Sequence, residues 1–157
     1  MVKVKKNTKI YVISFVLTFL FAAAGGIVTY IGMPRFEAAV KPYLTPPGWV
    51  FPVVWSILFA LMAIGAARVY LSDDKRLSRA MFLYFLQLTM NFWWCVLFFG
   101  FGFYLFALIW LLLLWIAVLL MLIVFTGIDK PAGLIQIPYL IWLTFAAYLN
   151  LGILLLN

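Results

Sequence analysis

Apolar residues in this chain gather into five long runs, and polar residues fill the short gaps between them. The runs cover about residues 10–33, 50–71, 80–99, 104–125 and 134–156. About twenty residues at ~1.5 Å rise each span the ~30 Å hydrocarbon layer of a bilayer, so each run predicts one transmembrane helix. Short connections between successive helices predict a compact bundle with sequential neighbours in contact. The longest gap, about residues 34–49, holds Pro42, Pro46 and Pro47, which fix φ and withhold donors; a stiff, ordered loop is expected there. The other gaps are the charged stretch Ser72 to Arg79, a tight turn around Gly100 to Gly102, and Thr126 to Pro131. The reading is an all-α integral membrane protein, one five-helix domain over residues 1–157.

Composition narrows the chemistry. The chain is 69% hydrophobic and 10% charged, too apolar for a soluble domain, so the bilayer is its solvent. It has no histidine, which removes the commonest general base and transition-metal ligand, and a single cysteine, Cys95, which rules out an intramolecular disulfide. The net charge of +7 does not point to nucleic acid, because the basic residues flank apolar runs instead of forming a patch. Lys3, Lys5, Lys6 and Lys9 precede a run longer than a signal-peptide core, which is therefore read as the first span and not as a cleaved leader. With five spans the termini lie on opposite sides. Arg68, Lys75, Arg76, Arg79 and Lys130 share the N-terminal side, while Arg35 and Lys41 lie on the other, so the positive-inside rule places the N-terminus in the cytoplasm.

In lipid, helices associate through small residues and buried polar contacts instead of hydrophobic burial. Small residues mark contact faces at Ala22 and Gly26 in the first run and at Ala63 and Ala67 in the second, whereas the leucine-rich fourth run reads as largely lipid-facing. Polar side chains at membrane depth point inward. Gln87, Asn91 and Trp94 share one face of the third helix, and Trp142, Ala146 and Asn150 form a stripe on the fifth. These two faces, with Trp55, are candidates to line one pocket; the competing reading is ordinary interhelical hydrogen bonding. Trp49, Trp93, Trp110 and Trp115 read as interfacial or lipid-facing residues.

Three stretches resemble the translocator protein / tryptophan-rich sensory protein family. Lys41-Pro42-Tyr43-Leu44-Thr45-Pro46-Pro47 and Pro52-Val53-Val54-Trp55 resemble its K-P-x-W-x-P-P loop and P-x-x-W helix opening. Gln87-Leu88-Thr89-Met90-Asn91, Trp94 and Phe98-Phe99-Gly100 are similar to its Q-L-x-x-N-x-x-W-x-x-x-F-F-G. Pro138-Tyr139-Leu140-Ile141-Trp142, Phe145-Ala146 and Leu149-Asn150 resemble its P-Y-L-x-W-x-x-F-A with a later L-N. The resemblance implies a five-helix bundle, commonly a homodimer, binding porphyrin or haem, synthetic aromatic ligands and in some members cholesterol. By position Asn91, Trp142 and Ala146 match its pocket residues, and the loop around Leu44, Pro46 and Pro47 matches its lid.

Two departures shape the expectation. Leu44 stands where the family's loop tryptophan, implicated with the residue matched by Trp142 in light-dependent porphyrin breakdown, would be; leucine has no redox-active ring. No Lys or Arg follows Tyr148, which makes sterol binding the less expected case. The expected function is a receptor or carrier of porphyrin-like or other flat hydrophobic molecules, with no required cofactor and with membrane lipids as its surroundings. Lys41 or Arg35 is placed to meet ligand carboxylates. The alternatives are a light-dependent porphyrin-degrading enzyme and a regulator acting through partner contacts.

Overall fold

A computed structural model describes the chain from Val2 to Asn157, with side chains from Asn7 onward. The side chains of Lys3, Lys5 and Lys6, which contribute to the charge bias, lie outside the described residues. The described residues form helices and no strands: α1 (Val2–Ala38), α2 (Val50–Leu71), α3 (Leu77–Cys95) continued by a π-helical segment (Val96–Phe101), α4 (Tyr104–Ile128), a short α5 (Lys130–Leu134) and α6 (Ile137–Leu156). Five stretches are long and apolar enough to cross a membrane.

Several boundaries differ from the pattern-based expectation, with α3 opening at Leu77 and α4 running on to Ile128. Residues 34–38, assigned to the loop, belong to α1, which runs straight through Pro34. A proline withholds only its own N–H, a defect that membrane helices tolerate when neighbours satisfy the freed groups. The helix stops where Lys41 Nζ donates to the carbonyls of Glu37 (2.6 Å) and Ala39 (3.3 Å). At the end of α3 the backbone widens into the π-helical turn, which stops at Gly102 with a positive φ of 69°, a conformation natural to glycine. The carbonyls freed there accept from Arg35 Nη1, Gly100 at 2.6 Å and Phe99 at 3.4 Å. Finally, the gap before the last run holds the short helix α5, which ends at Leu134, and Ile135 and Gln136 separate it from α6, whose first turn holds Pro138.

Asp129 caps α5, its Oδ1 accepting from the Ala132 N–H at 2.8 Å, and pairs with Arg68 of α2 at 2.9 Å. Burial works against its ionisation, but the Ala132 N–H and the Arg68 guanidinium outweigh that and hold its carboxyl below the ordinary range.

α1 packs along α2, α3 and the π-helical turn; α4 packs along α3 and α6. The fourth span is not simply a lipid-facing helix. Leu111, Leu114, Val118, Met121 and Phe125 bury one stripe, and Leu112, Leu113, Ile116 and Leu120 face outward. Trp110 and Trp115, expected at the lipid boundary, tie this pillar to its neighbours: Trp110 Nε1 donates to the Met90 carbonyl (2.8 Å) and Trp115 Nε1 to Thr144 Oγ1 (2.9 Å). Close approach of α1 to the π-helical turn depends on Gly32, where a Cβ would overlap the Phe99 backbone.

Candidate functional site

α4 holds α6 against α3 while α1 and α2 pack on the opposite side, and between the two groups lies a cavity of about 520 Å³. Its walls are mainly aromatic: Phe51, Trp55 and Phe59 from α2, Trp94, Phe98 and Phe99 from the third span, Trp142 from α6 and Phe36 from α1. These rings brace one another. Trp94 stacks on Phe98 (centroids 5.3 Å apart), Trp55 lies 6.4 Å from Trp94 and meets Tyr139 edge-on at 6.0 Å, and Phe51 meets Trp142 edge-on at 6.1 Å. Offset and edge-to-face contacts at these distances are favourable and stiff, so the walls keep their shape without filling the space they enclose.

Two buried amides are set into this apolar lining. Asn91 Nδ2 donates to the Tyr139 hydroxyl at 3.1 Å, and the residue lines the cavity. Asn150 joins three elements: its Nδ2 donates to the Tyr104 carbonyl (2.8 Å) and its Oδ1 accepts from Trp94 Nε1 (3.4 Å). The second amide therefore positions an indole wall, while the first sets a polar side chain into the cavity lining. Among the described residues no cluster of Cys, Asp or Glu is arranged to hold a metal ion.

Of the residues singled out in the sequence, Trp55, Asn91, Trp94, Trp142, Ala146 and Asn150 all line this one cavity. Gln87 does not. It is fully buried one turn below Asn91, its Nε2 3.7 Å from Met62 Sδ and its Oε1 unpartnered. Pro46 and Pro47 border an adjoining hollow with Lys41, Pro42 and Thr45, and this hollow shares Met33, Phe36 and Gly48 with the main cavity. Leu44 lines neither and is 59% exposed.

The loop is nevertheless fixed over the end of α6. Asn157 and Val40 exchange two hydrogen bonds of 3.0 Å, and Pro42 sits on Gly152, where a Cβ would come within 2.6 Å of its ring. The two cations expected at the rim are already engaged: Arg35 with the end of the π-helical turn, Lys41 with the end of α1 and, at 5.3 Å, with the face of Phe36.

Sequence reasoning missed Phe36, Phe51, Cys95 and the α1 lining at Ala23, Gly26 and Tyr30. Their only signal was a small or aromatic residue in an apolar run, which packing faces also carry. Tyr139, the partner of Asn91, was visible within the Pro-Tyr-Leu motif but carried no sign of that pairing.

Comparison with known proteins agrees with this architecture. The model of the TspO/MBR family matches residues 12–156. The "Tryptophan-rich protein TspO" of Chlorobaculum tepidum is 40% identical over 124 residues, 78% of each chain. "Protein CrtK" of Rhodobacter capsulatus is 35% identical over 91% of this chain and 92% of its own length. The "Translocator protein" of Bos taurus is 30% identical over 76% of this chain and 72% of its own.

Proposed function

This chain belongs to the TspO/MBR family, and we propose that this multi-pass membrane protein is a receptor or carrier that holds a porphyrin-like or similarly flat apolar molecule between α1, α2, α3 and α6. The observation that carries this reading is the braced aromatic cavity with the Asn91 amide in its wall. At about 520 Å³ it falls within the ~300–1,000 Å³ of small-molecule sites, and its mostly apolar lining with a few convergent polar groups is what such sites use. A planar macrocycle would stack on Trp94 and Trp142, and a pyrrole N–H at its centre or edge would donate to Asn91. A purely structural bundle would be expected to close such a space, because every wall atom facing it forgoes dispersion contacts.

Protoporphyrin IX titrated into purified protein is the direct test, followed by tryptophan quenching. Saturable quenching, weakened about ten-fold or more in Asn91→Ala and Trp142→Ala, is expected. Quenching that does not saturate, or that is unchanged in both variants, overturns the reading. The same proposal includes a cytoplasmic N-terminus, supported by the basic residues on that side, and a homodimer; labelling of introduced terminal cysteines in oriented vesicles and native mass spectrometry test these two points.

A further inference from the structure

We propose that the cavity exchanges its ligand sideways with the bilayer, through the part of the α1–α2 seam framed by Gly26 and Ser56, and not through the proline-rich loop. This rests on the reading that the cavity holds a ligand.

The seam has two different halves. Toward the start of α1 it is shut: Ser14 Oγ donates to the Ala63 carbonyl at 2.7 Å and the Phe19 and Phe59 rings lie 6.5 Å apart, while Thr18 ties α1 to Tyr84 of α3. Beyond that point Ala23, Gly26 and Tyr30 of α1 and Pro52 and Ser56 of α2 border the cavity and are also exposed on the outside of the bundle. Residues that face both ways frame an opening. A Cβ built on Gly26 meets no atom within 4 Å, whereas one on the adjacent Gly25 meets Cys95 Sγ at 3.4 Å.

The opening lies at membrane depth. Gly26 is twelve residues before the end of α1 at Ala38, about 18 Å along the helix axis at 1.5 Å per residue. Ile27, Ile31, Val53 and Ile57 beside it are exposed large apolar side chains, suited to acyl chains. The other end is tied down, although Gly48 there also borders the cavity and is exposed. The Asn157–Val40 pair ties down the loop, and the Phe36, Phe51 and Trp142 rings, at successive centroid distances of 5.8 and 6.1 Å, line the cavity. An apolar ligand dissolved in the membrane thus meets an open side, and a ligand in water meets a tied one.

Cys95 lines the cavity and is the chain's single cysteine, so its modification reports access. In lipid vesicles, modification by membrane-soluble N-(1-pyrenyl)maleimide is compared with modification by a charged, membrane-impermeant methanethiosulfonate. We expect the apolar reagent to label Cys95 and the charged one to lag at least ten-fold. Gly26→Trp and, independently, Ser56→Trp should slow the apolar reaction at least ten-fold, while Asn157→Ala, which frees the loop, should change it less than two-fold. The route is overturned if the apolar reagent does not label, if the charged reagent reacts as fast, or if Asn157→Ala accelerates labelling while neither tryptophan variant slows it. No porphyrin enters this measurement, so failure of protoporphyrin to quench in the titration above would remove the ligand class and leave the route standing.

Discussion

The two ends of the bundle handle the same materials in opposite ways. Toward the start of α1, Ala63, Ala66 and Ala67 of α2 let the helices come close, and Ser14, Thr18, Tyr84, Gln87 and Gln136 are all drawn into the packed interior. Toward the loop, Trp55, Trp94, Phe98 and Trp142 hold the helices apart around a space of about 520 Å³. Polar groups occur at both ends. Gln87 and Gln136 each keep an unpartnered buried oxygen in the shut half, so an amide at membrane depth does not by itself mark a binding site. The difference lies in the size of the neighbouring side chains: small ones allow backbone contact, while mutually braced rings stop the approach.

The comparison would break most visibly at the glycines of α1. Gly32→Leu should destabilise the bundle by about 3 kcal/mol or more, because the new side chain meets the rigid Phe99 backbone. Gly26→Leu, in open space, should remain within about 0.5 kcal/mol of the parent. Unfolding in graded denaturing detergent, read by helical circular dichroism, separates the two; equal stability would contradict the described seam.

The amides should divide in the same way. Asn150→Ala strands the Trp94 N–H and removes the tie to the Tyr104 carbonyl, which should cost about 1–2 kcal/mol and weaken protoporphyrin quenching. Gln87→Leu removes an amide whose oxygen is already unpaired, so stability should stay within about 1 kcal/mol of the parent or rise, with quenching unchanged. A loss of quenching in Gln87→Leu would bring that residue back into the site.

A smaller effect is expected at Asp129. Its folded carboxyl titrates below the ordinary value, so its contribution is fully present above the unfolded pKa of about 4 and is lost as pH falls through the depressed folded value. The Arg68 pair is partly exposed, so Asp129→Asn should cost under about 1 kcal/mol at neutral pH. The variant should flatten the decline in stability below pH 4; an acid limb identical to the parent's would remove the role assigned to the pair. Smallest of all, Leu44→Ala should shift neither stability nor quenching measurably, since the side chain borders neither hollow.

The membrane architecture was legible because a span is a local property: about twenty apolar residues must lie in succession, and no distant contact alters that count. The Asn91–Trp94 and Trp142–Ala146–Asn150 stripes were legible for a related reason, since helical spacing alone puts such residues on one face. Helix ends were less so. Pro34 reads as a stop but lies inside α1, whose end is set by Lys41, and at the break before α6 Gln136 turns inward to the Leu61 and Ala132 carbonyls. Gln87 shares the spacing of its stripe and still faces packed core, because periodicity gives direction around a helix but not what stands opposite. Composition and period alone therefore determined five spans, their order and the inward faces. Only the tertiary structure decided that those faces enclose a space of about 520 Å³, because the distance between helices is set jointly by every side chain packed between them, and no spacing along a single run encodes it.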